Sequence, residues 1–238
     1  MKKLFLSLVC FLSLAAFAQD TKVINDANAV QRNLNGSFTA IRVSSGIDLY
    51  ITQGNEESIA VSASDQKYID RIKTEVVNGT LKIYYDNKGI TWKSENKRLR
   101  AYVSFKTLEK LDAAAGSHVN VNGTINTDKF VLHVSSGAGF AGSINATELT
   151  ADVSSGAGIK ITGQADKLTV DASSGANFKG YDFTADYCNA SASSGADIQV
   201  TINKELSAKA SGGADIRYKG TALIRDLKTS GGGAVKKA

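Results

Sequence analysis

The stretch VSSGAGIKITG, residues 153–163, has close copies along the second half of the chain. A catalytic motif needs to occur once, whereas a phrase that returns at fixed spacing describes architecture. Aligned on the glycine after the serine pair, Gly116, Gly137, Gly156, Gly175, Gly195, Gly213 and Gly232 stand at intervals of 21, 19, 19, 20, 18 and 19 residues. A period near 20 is that of a solenoid in which each repeat is one coil.

The alignment defines the inside of each coil. Five residues before the glycine stand Leu111, Leu132, Ala151, Val170, Ala190, Ala208 and Leu227. Three residues after it stand Val119, Phe140, Ile159, Phe178, Ile198, Ile216 and Val235. A third apolar column lies seven or eight residues before it: Leu108, Phe130, Leu149, Leu168, Tyr187 and Leu206. Between these columns the pattern alternates with period two, as in a strand with one buried face. Val153 and Ile159 point inward by this count, and Asp152 and Lys160 outward. The glycine and its small neighbours permit a sharp bend, with some residues at positive φ. Stacked parallel coils lie about 4.8 Å apart, so seven corners give a rod roughly 30 Å long. Like residues then lie above one another. Ser135, Ser154, Ser173, Ser193, Ser211 and Ser230 form one such row, expected to make a ladder of hydroxyls at the bend.

The first half reads differently. Residues 38–43, 47–52 and 58–62 alternate as strands, and Ser44-Ser45-Gly46 is an early copy of the corner phrase. Residues 65–72 read as a short helix capped by Asp65. Residues 75–83 read as a hairpin turned by Asn78-Gly79. A polar loop with Trp92 follows, and residues 98–105 resume a strand. This segment is expected to cap or begin the stack, because an open solenoid end invites edge pairing. The fold predicted is therefore all-β: a β-rich segment with one short helix over residues 19–107, continuous with a parallel β-solenoid of about seven coils over residues 108–238.

The chain begins with Lys2 and Lys3, an apolar run over residues 4–14, and Ala16-Phe17-Ala18, the pattern of a secretory leader. Val9 is too bulky before Cys10 for lipid attachment, so cleavage after Ala18 is expected. The mature chain would then be exported, to the periplasm, the outer surface or the medium. No later run is apolar enough to span a bilayer. Losing Lys2 and Lys3 lowers the formal charge from +5 to +3, too mild to indicate a nucleic-acid partner. Cys188 is the one cysteine of the mature chain, so no internal disulfide forms and stability rests on the core. Proline is absent, and Gly, Ser, Thr and Ala are plentiful, which suits short strands with tight turns.

These stretches together, IRVSSGIDLYITQGNEESIAVSAS, VVNGTLKIYYDN, KLDAAAGSHVNVNG and the serial SSGA corners, resemble the head GIN domain family. That family is described as autotransporter adhesins and is common in the Bacteroidetes. The resemblance spans roughly residues 23–237. It implies an exported β-solenoid with a binding or adhesion role, and it carries over no catalytic residue.

Few constellations carry chemistry. Asp197 and Asp215 follow successive corner glycines by two residues, which stacks their carboxylates about 5 Å apart, a separation that suits a retaining glycosidase. Asn or Asp beside a corner glycine equally makes turns through local backbone bonds. Asp152 and Asp171 form a second stacked pair, short of the oxygens calcium needs. His118 and His133 occupy different columns without an acid or cysteine in phase, so solvated histidines are expected. The Asn-x-Ser/Thr triplets at Asn35, Asn78, Asn122, Asn145 and Asn189 read as turns. Cys188 reads as a small buried apolar residue. No metal or cofactor site is indicated.

A basic row is the candidate ligand site. Four residues after the glycine stand Ala141, Lys160, Lys179, Gln199, Arg217 and Lys236. Lys160, Lys179, Arg217 and Lys236 would dock an anionic polymer, a glycan or a surface protein by repeated contacts, with Tyr181, Tyr187 and Tyr218 as candidate stacking faces. Alternatively the row keeps a β surface soluble. Three functions follow: a non-enzymatic binding or adhesion module of the cell envelope, a self-associating structural protein joined through the solenoid ends, and a carbohydrate-active enzyme built on Asp197 and Asp215.

Overall fold

Every corner phrase folds as the same tight turn. At Ser154-Ser155-Gly156-Ala157, the two central residues have φ of 55° and 69°, and the Ala157 amide donates to the Ser154 carbonyl at 3.2 Å. Positive φ at both central positions defines a type I′ turn. The left-handed conformation costs a residue with a side chain roughly 1–2 kcal/mol, and the last two corners avoid that cost with Gly212 and Gly231. What offsets it elsewhere is a ladder along the rod axis. The amide of Gly116 donates to the Ser136 carbonyl at 3.1 Å, Gly156 to Ser174 at 3.0 Å, and Gly213 to Gly231 at 3.0 Å. Backbone groups therefore make the ladder that the sequence assigned to serine hydroxyls. Among the described residues, no hydroxyl of that row bonds its stacked neighbour.

The computed structural model describes residues 26–89 and 96–238. The leader, the cleavage point after Ala18, Cys10 and Trp92 lie outside the described residues. The capping half comprises β1 (Val30–Arg32), β2 (Ala40–Val43), β3 (Asp48–Gln53), β4 (Ser58–Ser62), α1 (Gln66–Ile69), β5 (Ile72–Val77), β6 (Thr80–Tyr85) and β7 (Arg100–Phe105). The stacked half comprises β8 (Lys110–Ala113), β9 (His118–Val134), β10 (Gly139–Val153), β11 (Gly158–Ala172), β12 (Asn177–Ala192), β13 (Asp197–Ser211), β14 (Asp215–Lys219), β15 (Leu223–Ser230) and β16 (Ala234–Lys237).

β9 to β13 pair in parallel, each with the next. Their registers reproduce the sequence columns: Phe140 pairs Ile159, Ile159 pairs Phe178, Phe178 pairs Ile198 and Ile198 pairs Ile216. Within β11 the alternation of buried residues breaks near residues 162–167, where the coil turns without leaving the sheet. The 20-residue coil absorbs its extra length at a register shift between Gly180 and Thr184. The core is the line of Leu, Ile, Val, Phe and Ala side chains down the rod axis.

Two column positions, Tyr187 of the third and Leu227 of the first, differ from expectation. Tyr187 is 42% exposed, and Cys188 takes the inward place between Leu168 and Leu206. Leu227 is 46% exposed because no further strand lies over it among the described residues.

The first half both caps and begins the stack. Gly46 donates to the Ala115 carbonyl at 3.0 Å, which places the early phrase on the first corner. β2 pairs in parallel with β8, and β3 with β9. Beyond them the pairing becomes antiparallel, β4 with β7, β1 with β4, and β5 with β6. The hairpin turns on Asn78-Gly79, with φ of 51° and 70°. Asp65 caps α1, accepting from the Lys67 amide at 3.0 Å. Short antiparallel edges blunt this end against further pairing.

Under each turn sits a buried alanine: Ala138, Ala157, Ala176, Ala196 and Ala214. The first corner has Ser117 there, 0% exposed, and its hydroxyl finds no partner. An unsatisfied buried hydroxyl costs about 1 kcal/mol or more. Ser117→Ala is therefore expected to stabilise the protein by about 1 kcal/mol, read as a higher denaturation midpoint. A lower midpoint would show that the hydroxyl is satisfied.

Candidate binding surface

The basic row is in register. Lys160 pairs Lys179, Lys179 pairs Gln199, Gln199 pairs Arg217 and Arg217 pairs Lys236. Its members are not equivalent. Arg217 binds the carboxylates of both Asp197 and Asp215, the latter at 2.8 Å. That guanidinium clamps the pair in which the sequence offered a glycosidase, and its own charge is spent there. Lys160 and Lys179 are exposed, and among the described residues neither has a carboxylate partner. They border an open hollow of about 420 Å³ floored by Phe140 and Ile159 and edged by His118, Asn120 and Asn177. Lys236 is exposed at the far end of the row.

A second column corrects the reading of the histidines. His133 lies between two acids on adjacent coils, with Nδ1 3.0 Å from Asp112 and Nε2 2.8 Å from Asp152. His118 faces Asp48 at 3.8 Å. Asp152 also stacks on Asp171, whose carboxyl is pushed above the usual range, first by burial and then by the Asp152 charge. Among the described residues, no group of three or more His, Cys, Asp or Glu side chains converges as a metal site. Three of the Asn triplets are also not turns, and the first of them, Asn122, lies within β9. Asn145 lies within β10 and Asn189 within β12.

The tyrosines separate by exposure. Tyr218 packs against the core, and Lys219 Nζ lies 4.2 Å from the Tyr181 ring centre. Tyr187 is the most open of the three, with Lys204 Nζ 5.5 Å from its ring centre.

One wide concavity went unread in the sequence. An open groove of about 1140 Å³ crosses successive coils from Asn126 to Asn203. Its side is a register column, Asn126, Asn145, Gln164 and Thr184, and its floor is Ala146, Ala165 and Ala185. Every member of the side column stands eleven residues before its corner glycine, so the signal lay in the same alignment. It was hidden because polar residues outside a strand also serve solubility. In the column Lys129, Glu148, Lys167 and Tyr187, Lys129 lines the groove, and the other three stand just outside its lining. Both Lys129 and Lys167 lie 3.3 Å from Glu148.

Similar folds are known. A crystal structure from Bacteroides fragilis titled a "putative adhesin" superimposes with a TM-score of 0.81 at 18% identity, covering 90% of this chain and 98% of that one. One of the same title from Parabacteroides distasonis gives 0.71 at 18% identity, again over 90% and 98%. A third, from Parabacteroides distasonis and titled a "Putative lipid binding protein", gives 0.61 at 17% identity, over 90% and 98%. At such identities the likeness is one of fold. A comparison with curated proteins finds no match. The family model described as "Putative auto-transporter adhesin, head GIN domain" matches residues 37–222, and the chain belongs to that family.

Proposed function

We propose that this protein is an exported, non-enzymatic binding module of the cell envelope or surface, which docks an extended anionic polymer along its exposed lysines. The observation that carries the reading is the unneutralised pair Lys160 and Lys179. Most other cations on the stacked coils spend their charge on a neighbour: Lys129 and Lys167 on Glu148, Lys204 on Asp186, Arg217 on two aspartates and Arg225 on Glu205. Repetition at the coil spacing of about 4.8 Å lets successive charges of one polymer engage successive coils, so weak contacts add. The adhesin naming of the family supports a binding role, and the leader read from residues 1–18 supports export.

The catalytic alternative loses its main support in the Arg217 clamp. Self-association has one observation in its favour, the exposure of Leu223, Ile224 and Leu227 at the last coil. Against it, Lys236 and Lys237 load the same end with positive charge, a common device against edge pairing.

The test is retention on immobilised sulfated dextran. Each lysine near an anionic surface contributes about 1 kcal/mol, so the double variant Lys160→Glu and Lys179→Glu is expected to bind at least about tenfold more weakly at low salt. Equal retention of the double variant and the parent protein would remove the lysine row from the proposal.

A further inference from the structure

We propose that the long groove is a second and separate site, which binds a neutral, extended polysaccharide. The inference goes beyond the lysine-row reading, because it concerns different residues and a ligand without charge.

The first argument is the chemistry of the lining. Asn126, Asn145, Gln164, Thr184 and Asn203 carry amide and hydroxyl groups, each both donor and acceptor. A sugar hydroxyl is likewise donor and acceptor. One Asn or Gln amide spans two neighbouring hydroxyls with one bond of each kind. Part of this capacity is spent within the groove: Asn145 Nδ2 donates to Asn126 Oδ1 at 3.2 Å. Among the described residues, the side chains of Gln164, Thr184 and Asn203 have no protein partner, and they lie on successive coils.

The second argument is shape. The lining steps down to Ala146 and to the buried Ala165 and Ala185 between longer side chains, and the groove stays open at the surface. An open channel across several coils fits a chain that passes through, whereas a small molecule is usually enclosed on most sides. An extended β-1,4-linked pyranose chain has a repeat per sugar close to the coil spacing of about 4.8 Å. Successive sugars would therefore meet equivalent side chains.

The third argument is charge. The cations nearest the groove are held in ion pairs, Lys129 and Lys167 sharing Glu148 and Lys204 bound to Asp186 at 2.7 Å. Asp128, Asp166 and Glu109 remain along the groove as acceptors. Carboxylates repel a polyanion and accept from hydroxyls, so the groove selects a neutral polymer while the lysine row selects an anionic one.

The fourth argument is Tyr187. Its column otherwise holds Lys129, Glu148, Lys167 and Glu205, yet this coil presents a ring that is 42% exposed. Tyr187 stands one residue beyond Asp186, which lines the groove, so its exposed ring is at the rim, where it stacks against the C–H face of a pyranose that leaves the groove. Lys204 lies over part of the ring, tied to Asp186.

The experiment is native affinity electrophoresis of the mature protein in gels containing hydroxyethylcellulose, arabinoxylan or galactomannan. All three are soluble and neutral, with β-linked backbones. At least one is expected to retard the protein, and the retardation should persist at high salt, since no ion pairs are exchanged. Tyr187→Ala and Gln164→Ala are each expected to weaken it about tenfold. Both side chains face outward, so both variants should keep the parent denaturation midpoint. Lys160→Glu with Lys179→Glu should leave it unchanged. Retardation by none of the three overturns the inference, as does retardation that survives both groove substitutions. Retention on sulfated dextran that is lost in salt, without any response to the neutral polymers, would leave the lysine row standing and the groove proposal refuted.

Discussion

Gly163→Ala is expected to cost about 4 kcal/mol of stability, while Gly156→Ala costs about 1 kcal/mol. Both glycines have positive φ, +110° and +69°. They differ in what stands beside them. A Cβ at Gly156 would meet nothing within 4 Å, because the corner points to solvent. A Cβ at Gly163 would lie 2.1 Å from the Ile144 carbonyl oxygen and 2.9 Å from its carbon. That neighbour is backbone of the adjacent coil, and Ile144 is the register partner of Gly163. Relief requires the β10–β11 ladder to part at the bend, and in a stack each coil is held by its neighbours. A Cβ at Gly220 would lie at the same 2.1 Å from the Ile202 carbonyl oxygen. Chemical denaturation of both variants reads the difference. Equal costs would mean that the inner bend is not as tightly stacked as described.

Cys188 gives the second large effect, and it depends on pH. Burial among Leu168, Leu206 and the core pushes its thiol up from 9.0 to about 12. Below pH 9 the thiol is neutral in both folded and unfolded chains, and its contribution is fully present. Between pH 9 and 12 the unfolded chain loses the proton and the folded chain keeps it. Stability therefore falls as pH rises through that window, by up to about 4 kcal/mol for a shift of this size. Tyr102 adds to the fall, because burial, and then its bond to Asp26, pushes its phenol up to about 12. The comparison with Cys188→Ala isolates the thiol. The variant is expected to lose distinctly less stability than the parent between pH 9 and 12. Parallel curves for the two proteins would show that the thiol is open to water.

The fold was legible in the sequence because a solenoid repeats its solution. Seven corner glycines and two flanking apolar columns state the coil length, the inward face and the register, and each statement checks the others. Single positions were less legible. Tyr187 and Cys188 are adjacent, and the intervals around that coil vary between 18 and 20, so the count did not decide which of them turns inward. The corner ladder was assigned to serine hydroxyls because side chains are visible in a sequence and backbone amides are not. His133 seemed unpartnered because its acids, Asp112 and Asp152, come from the coils before and after it. They become neighbours only once the registers of β8, β9 and β10 are fixed.

The surface was harder to read than the core, for a physical reason. Burial forces an apolar residue into a column, and errors there cost several kcal/mol. An outward column is free to vary, so Asn126, Asn145, Gln164 and Thr184 share chemistry without sharing identity. The row of Lys160, Lys179, Arg217 and Lys236 was visible as charge. That Arg217 turns back on Asp197 and Asp215 depends on its side-chain path, which spacing does not set.

The proposal has its sharpest form in a binding role at the cell surface. The most direct measurement is protease treatment of intact and then lysed cells of the native host expressing the full-length protein, blotted together with the medium. The account predicts digestion on intact cells or recovery from the medium. Protection until lysis would contradict it and place the binding partners inside the envelope.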